Sequence, residues 1–141
     1  MSSSPHYTLL KNRGLLAVTG PDRVSFLQGL VSNNMEKVAS DRAVYAALLN
    51  PQGKYLYDFF VFRILETLLL DCERACLQDL KKRLSLYKLR ANVTLEDRSD
   101  EMAVIALIGD AELIEQELPR EPGDAIAFGG GIICTDPRLA D

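Results

Sequence analysis

Residues 43–73 constrain the fold more than any other part of the chain, because they spell three strands and two turns in succession. Residues 43–49 are continuously apolar, and Asn50-Pro51-Gln52-Gly53 follows as a turn. Proline suits the second position of such a turn and glycine the fourth. The return run, residues 54–65, places alternate side chains on opposite faces, as a strand must. Tyr55, Tyr57, Phe59 and Val61 fall on one predicted face, and Leu56, Asp58, Phe60, Phe62 and Ile64 on the other. Both faces are mostly apolar, so both are expected to be covered. Glu66-Thr67 then turns the chain into Leu68-Leu69-Leu70-Asp71-Cys72, completing a meander.

The flanking segments supply the layers. Upstream, an extended piece at residues 7–11 precedes Gly14 and the strand-like run Leu15-Leu16-Ala17-Val18. Thr19-Gly20-Pro21-Asp22 reads as a helix start, since proline tolerates the first turn and an acid there complements the dipole. Val24, Leu27 and Val31, with Phe26 and Leu30, give that helix an apolar face, and Asn33-Asn34 is expected to end it. Leu77, Leu80, Leu84 and Tyr87 make the stripe of a second helix. Val93 and Leu95 alternate with polar residues, whereas residues 102–108 form an apolar run suited to a central strand. A helix near residues 111–118 and a hairpin over 125–134, closing at Asp136-Pro137-Arg138, are expected beyond it. The order predicts an α+β fold, a largely antiparallel or mixed sheet with helices packed on it, and one domain over residues 1–141.

Composition excludes several functions. A net charge of −4 argues against a broad phosphate-binding face, so nucleic acid is not an expected partner. No stretch approaches the roughly 20 apolar residues of a membrane span, and the start lacks the basic-then-apolar order of a signal peptide. These features point to a cytoplasmic protein without a membrane partner. Cys72, Cys76 and Cys134 read as reduced thiols, and their spacing matches no zinc or iron–sulfur motif. With His6 as the one histidine, neither a metal site nor a Ser-His-acid relay can be assembled. Gly129-Gly130-Gly131 lacks the spaced glycines and Lys-Ser/Thr of a phosphate loop, and reads as a hairpin connection.

Three features remain. Asp58 lies between Leu56 and Phe60 on one strand face, and a buried carboxylate is costly unless paired or hydrogen-bonded. It either serves a neighbouring turn or an arginine, or accepts a ligand amine or amide. Tyr55, Tyr57, Phe59, Phe60 and Phe62 form the densest aromatic stretch, which either packs a core or stacks on a flat heterocycle. Lys81-Lys82-Arg83 with Lys88 and Arg90 is either a solvated face or a site for polyglutamate, another acidic ligand tail, an RNA backbone or a docking partner.

Three segments together resemble the superfamily of YgfZ and the glycine-cleavage T-protein. They are Arg13-Gly14-Leu15-Leu16-Ala17-Val18-Thr19-Gly20-Pro21-Asp22 running into Phe26-Leu27-Gln28-Gly29-Leu30; Leu48-Leu49-Asn50-Pro51-Gln52-Gly53-Lys54 running through Leu56-Tyr57-Asp58; and Tyr87-Lys88-Leu89-Arg90. The resemblance implies a tetrahydrofolate-binding fold, and within it the YgfZ-type branch of accessory proteins for iron–sulfur protein maturation or repair. Folate and iron–sulfur client or assembly proteins are the partners it implies. Asp58, Tyr57, Gln52 and Arg13 are the cofactor-binding candidates carried over from it. Tyr57 occupies the position of the first of two acids in the T-protein, the catalytic one, which argues against aminomethyl transfer and for a binding module with no catalytic residue of its own. The branch's Lys-Gly-Cys-Tyr-x-Gly-Gln-Glu motif is absent, so the chain is expected to be the amino-terminal part of a longer protein, self-associating through surface left exposed. An aminomethyltransferase and a plain protein-interaction domain are the competing readings.

Overall fold

The computed structural model describes residues 6–39, 41–108, 125–128 and 131–134. Its centre is a five-stranded antiparallel sheet built from β2 (Arg13–Thr19), β3 (Val44–Leu49), β4 (Tyr55–Ile64), β5 (Thr67–Glu73) and β6 (Thr94–Asp97). Their spatial order is β3-β4-β5-β2-β6. The predicted meander is therefore present, and β2 adds beside β5 rather than beside its chain neighbour β3. Two short ribbons accompany the sheet: β1 (His6–Leu9) pairs with β7 (Ile105–Ile108), and β8 (Ala125–Phe128) pairs with β9 (Gly131–Cys134). The 125–134 hairpin is thus present, whereas the expected helix at 111–118 and the closing turn at 136–138 lie outside the described residues. The run at 102–108 forms no central strand. It pairs with β1, away from the five-stranded sheet.

One face of the sheet carries the core. Leu16, Val18, Leu48, Phe59, Val61 and Leu70 project from it against α1 (Arg23–Gln28) and α2 (Leu77–Leu86). The helix α2 contributes Leu77, Leu80 and Leu84, all fully buried, in the predicted spacing, whereas Tyr87, expected on the same stripe, caps the helix end and is exposed. The first helix is shorter than expected: it stops at Gln28 with Gly29 as its cap. Beyond it the chain turns at Gly29-Leu30, and Val31 joins Leu48 in an isolated bridge, so Val31 meets β3 rather than extending the helix. Asp22 makes no side-chain cap. Its Oδ2 instead accepts from the Asn92 backbone N–H at 2.8 Å, tying the start of α1 to the lead-in of β6. Sequence reading treats Asp22 as a dipole partner, because a contact 70 positions away leaves no local trace.

The β3–β4 turn is held by Asn50. Its Oδ1 accepts from Gln52 N at 3.0 Å and Lys54 N at 2.8 Å, while its backbone carbonyl accepts from Gly53 N at 2.8 Å. Such side-chain mimicry of a turn is why Asn is favoured here. Asn50→Ala is expected to lose about 1 kcal/mol of stability, and a urea unfolding curve checks it. A loss below a few tenths of that would show that Gly53, at φ 82°, sets the turn alone.

Candidate functional site

The second face of the sheet holds the polar chemistry. Inter-strand register places Tyr45 opposite Phe60, Phe60 opposite Asp71, and Asp71 opposite Leu15, a row across four strands. Asp71 is buried at 4% exposure. Arg13, two residues along β2 from Leu15, donates Nε to Asp71 Oδ1 at 2.8 Å and Nη2 to the Asp71 backbone carbonyl at 2.9 Å. Its guanidinium also lies 5.7 Å from the centre of the Phe60 ring, within cation–π range. Tyr45 and Phe60 are tilted against each other at 5.3 Å, and Phe62 follows at 6.4 Å. Arginine, carboxylate and aromatic rings thus form one half-buried surface.

Asp58 sits in the next row, opposite Ala47. Tyr45 Oη donates to its Oδ2, and the Tyr55 hydroxyl also reaches the carboxyl. Burial is the largest single influence on Asp58 and opposes ionisation. The two tyrosine hydrogen bonds and the nearby Arg13 charge together outweigh it and hold the pKa below the usual value. The Tyr55 hydroxyl is pushed above its usual range, by desolvation first and by Asp58 second. Asp58 therefore settles as a carboxylate beside a neutral Tyr55 phenol. A carboxylate has about four acceptor positions, so two tyrosines leave capacity for a ligand donor.

Tyr55 corrects the simple alternation read from the sequence. Leu48 pairs with Tyr57 but Leu49 pairs with Tyr55, so a bulge inserts one extra residue into β4. Bulges re-aim side chains, and this one turns Tyr55 to the Asp58 face while Tyr57 stays on the core face, packed against the helix-side cluster. Of the four candidates carried over from the resemblance, the structure brings Asp58 and Arg13 to one face. Tyr57 lies on the other, and Gln52 stands exposed on the turn, using its backbone N–H to bond Asn50. Tyr45 and Asp71 are the members that sequence reasoning missed. For Asp71 the signal was present, since a carboxylate inside Leu68-Leu69-Leu70-Asp71-Cys72 raises the same burial question as Asp58. Tyr45 had only its place in an apolar run.

Among the described residues no group of three or more His, Cys, Asp or Glu side chains converges to hold an ion. Cys72 is buried at 1%, and desolvation pushes its thiol up to about 12, so it is an inert core residue.

Residues 10–120 match the GCVT N-terminal domain family. The chain belongs to that family. As a GCVT N-terminal domain it is 34% identical over 145 residues to the mouse "Iron-sulfur cluster assembly factor IBA57, mitochondrial", covering 93% of this chain and 39% of that protein. The human protein of the same name is 33% identical with the same coverage. An aminomethyltransferase of Lysinibacillus sphaericus is 32% identical over 123 residues, covering 84% of this chain and 33% of that one. Among solved structures, the glycine cleavage system aminomethyltransferase T from Bartonella henselae superposes with a TM-score of 0.66 at 20% identity, over 75% of this chain and 29% of that one. That likeness shows the fold, and it bears out the expected α+β architecture. This GCVT N-terminal domain thus spans about 39% of the length of its mouse and human relatives. The expectation of a cytoplasmic protein is corrected: the mouse and human relatives are both named as mitochondrial factors.

Proposed function

We propose that this chain is the tetrahydrofolate-binding amino-terminal domain of a YgfZ-type iron–sulfur cluster assembly factor, acting by binding rather than by group transfer. The observation that carries this reading is the ionised Asp58, fixed by Tyr45 and Tyr55 on a face lined by Phe60 and Phe62. A pterin presents adjacent amine and ring N–H donors on one edge, which suit a carboxylate, and flat faces, which suit aromatic rings. The residues present therefore fit the group: Asp58 would accept from the pterin edge, and Phe60 and Tyr45 would flank the ring. Bound folate would supply a one-carbon carrier. The chain's own residues position it and keep the recognising carboxylate charged.

Similarity to the mouse and human factors over 93% of the chain supports the iron–sulfur role. Clients or assembly proteins would then be the macromolecular partners, and the cluster itself is cargo rather than a resident group. Aminomethyl transfer is the weaker reading. Where the resemblance calls for a catalytic acid, Tyr57 stands instead, and it faces the core rather than the Asp58 surface.

Asp58→Asn keeps the shape of the side chain and removes its charge. Folinic acid titrated by calorimetry is expected to bind the variant about tenfold more weakly than the parent, roughly 1.4 kcal/mol. Equal affinity for parent and variant would remove Asp58 from any folate site.

A further inference from the structure

A cleft of about 370 Å³ lies at the β2 side of the same sheet, between the β1–β2 connection and residues 99–104. Leu10, Leu15 and Met102 give it an apolar floor, and Lys11, Arg13 and Arg74 bring three cations to its lining. That size is within the range of small-molecule sites. Two of the cations are already answered. Arg13 is paired with Asp71, and Arg74 Nη2 donates to Asp100 Oδ1 at 2.9 Å. Lys11 has no ion pair among the described residues, so the lining residues and their ion-pair partners leave one positive charge in excess. The Arg74–Asp100 pair is also exchangeable, because the Asp100 side chain is 95% exposed and such pairs are worth little.

We propose that this cleft is a second binding site, for a small monocarboxylate with a short apolar body. Its carboxylate sits between Lys11 and Arg74, displacing Asp100, and its tail lies on Leu10, Leu15 and Met102. A single excess charge matches one carboxylate better than a phosphate carrying nearly two, and an apolar floor demands an organic acid rather than a bare ion. The two sites share only Arg13, which Asp71 holds; neither Asp58 nor the tyrosines line the cleft.

Hexanoate and its neutral analogue hexanamide, titrated against the ¹⁵N-labelled chain by NMR, test the proposal. Hexanoate is expected to shift the amides of residues 10–13 and 99–104 saturably with millimolar affinity, and hexanamide to leave them in place. Arg74→Gln is expected to weaken hexanoate about tenfold, the scale of a charge-assisted hydrogen bond. Asp100→Asn, which removes the competing carboxylate, is expected to tighten it about threefold. A merely structural Asp100 would not give that gain. Asp58→Asn should leave hexanoate binding unchanged, so loss of folate binding and loss of this site are read separately. The proposal is overturned if hexanamide shifts the same amides equally, if no saturable shift occurs, if the Arg74 and Asp100 variants bind as the parent does, or if Asp58→Asn abolishes binding.

Discussion

Arg13→Met is expected to lower the stability of this domain by about 3 kcal/mol, the lower end for breaking a buried ion pair from one side. Methionine keeps the apolar stem but removes both hydrogen bonds to Asp71 and the cation over Phe60. Asp71, only 4% exposed, loses the guanidinium that compensates its desolvation. The double variant Arg13→Met/Asp71→Leu is expected to recover most of the loss, because a buried pair exchanged for apolar residues of similar volume is nearly neutral. Urea unfolding of the four proteins in the cycle measures this, with the midpoint moving at constant slope. A single-variant loss under about 1 kcal/mol would mean that the pair behaves as a surface bridge.

The same substitution carries a pH signature. Asp58 has a lowered pKa in the folded state, in part through Arg13. A lowered folded-state pKa contributes stability above the usual value of 3.8, and that contribution is lost as pH falls through the lowered one. Removing Arg13 lets the pKa rise toward its usual value, so the contribution shrinks. The difference between parent and Arg13→Met is therefore expected to be larger at neutral pH than near pH 3.8 or below. A difference that grows on acidification would reverse the assignment of Asp58 as an ionised group supported by Arg13.

Gly20→Ala is expected to be at least as damaging, about 3 kcal/mol or more. Gly20 has φ 109°, which side-chain-bearing residues rarely adopt, and a Cβ there would lie 2.2 Å from the Asn92 carbonyl oxygen and 2.9 Å from Val93 Cα. Both are backbone atoms, so the strand lead-in itself must move. Moving it strains the mutual grip in which Asp22 N donates to the Asn92 carbonyl at 3.3 Å and Asn92 N donates to Asp22 Oδ2 at 2.8 Å. Gly53→Ala is the control. Its φ of 82° is also positive, but nothing lies within 4 Å of an added Cβ, so it should lose only the backbone term of about 1 kcal/mol. Thermal melts of the two variants separate steric from conformational cost. Equal losses would show that the Asn92 contact yields freely.

The amino-acid sequence by itself determined the elements whose signals are local. The turn at Asn50-Pro51-Gln52-Gly53, the meander around it and the stripe Leu77, Leu80, Leu84 of α2 all follow from side-chain type and spacing within a few residues, where one backbone period governs which atoms meet. It also marked Asp58 as a carboxylate needing an explanation. Tertiary structure alone decided how that carboxylate is served. The nearest arginine chemistry went to Asp71, 58 positions from Arg13, while Asp58 took Tyr45 and Tyr55. The Tyr55 position depends on a bulge, a mismatch between two strands that neither strand's own alternation encodes. Likewise Lys11 and Arg74 share a cleft only because β2 adds beside β5 and the β1–β2 connection meets residues 99–104 across the sheet edge. Periodicity within a strand says which side chains share a face; only inter-strand hydrogen bonding fixes which of them stand next to one another, and the site is made of neighbours.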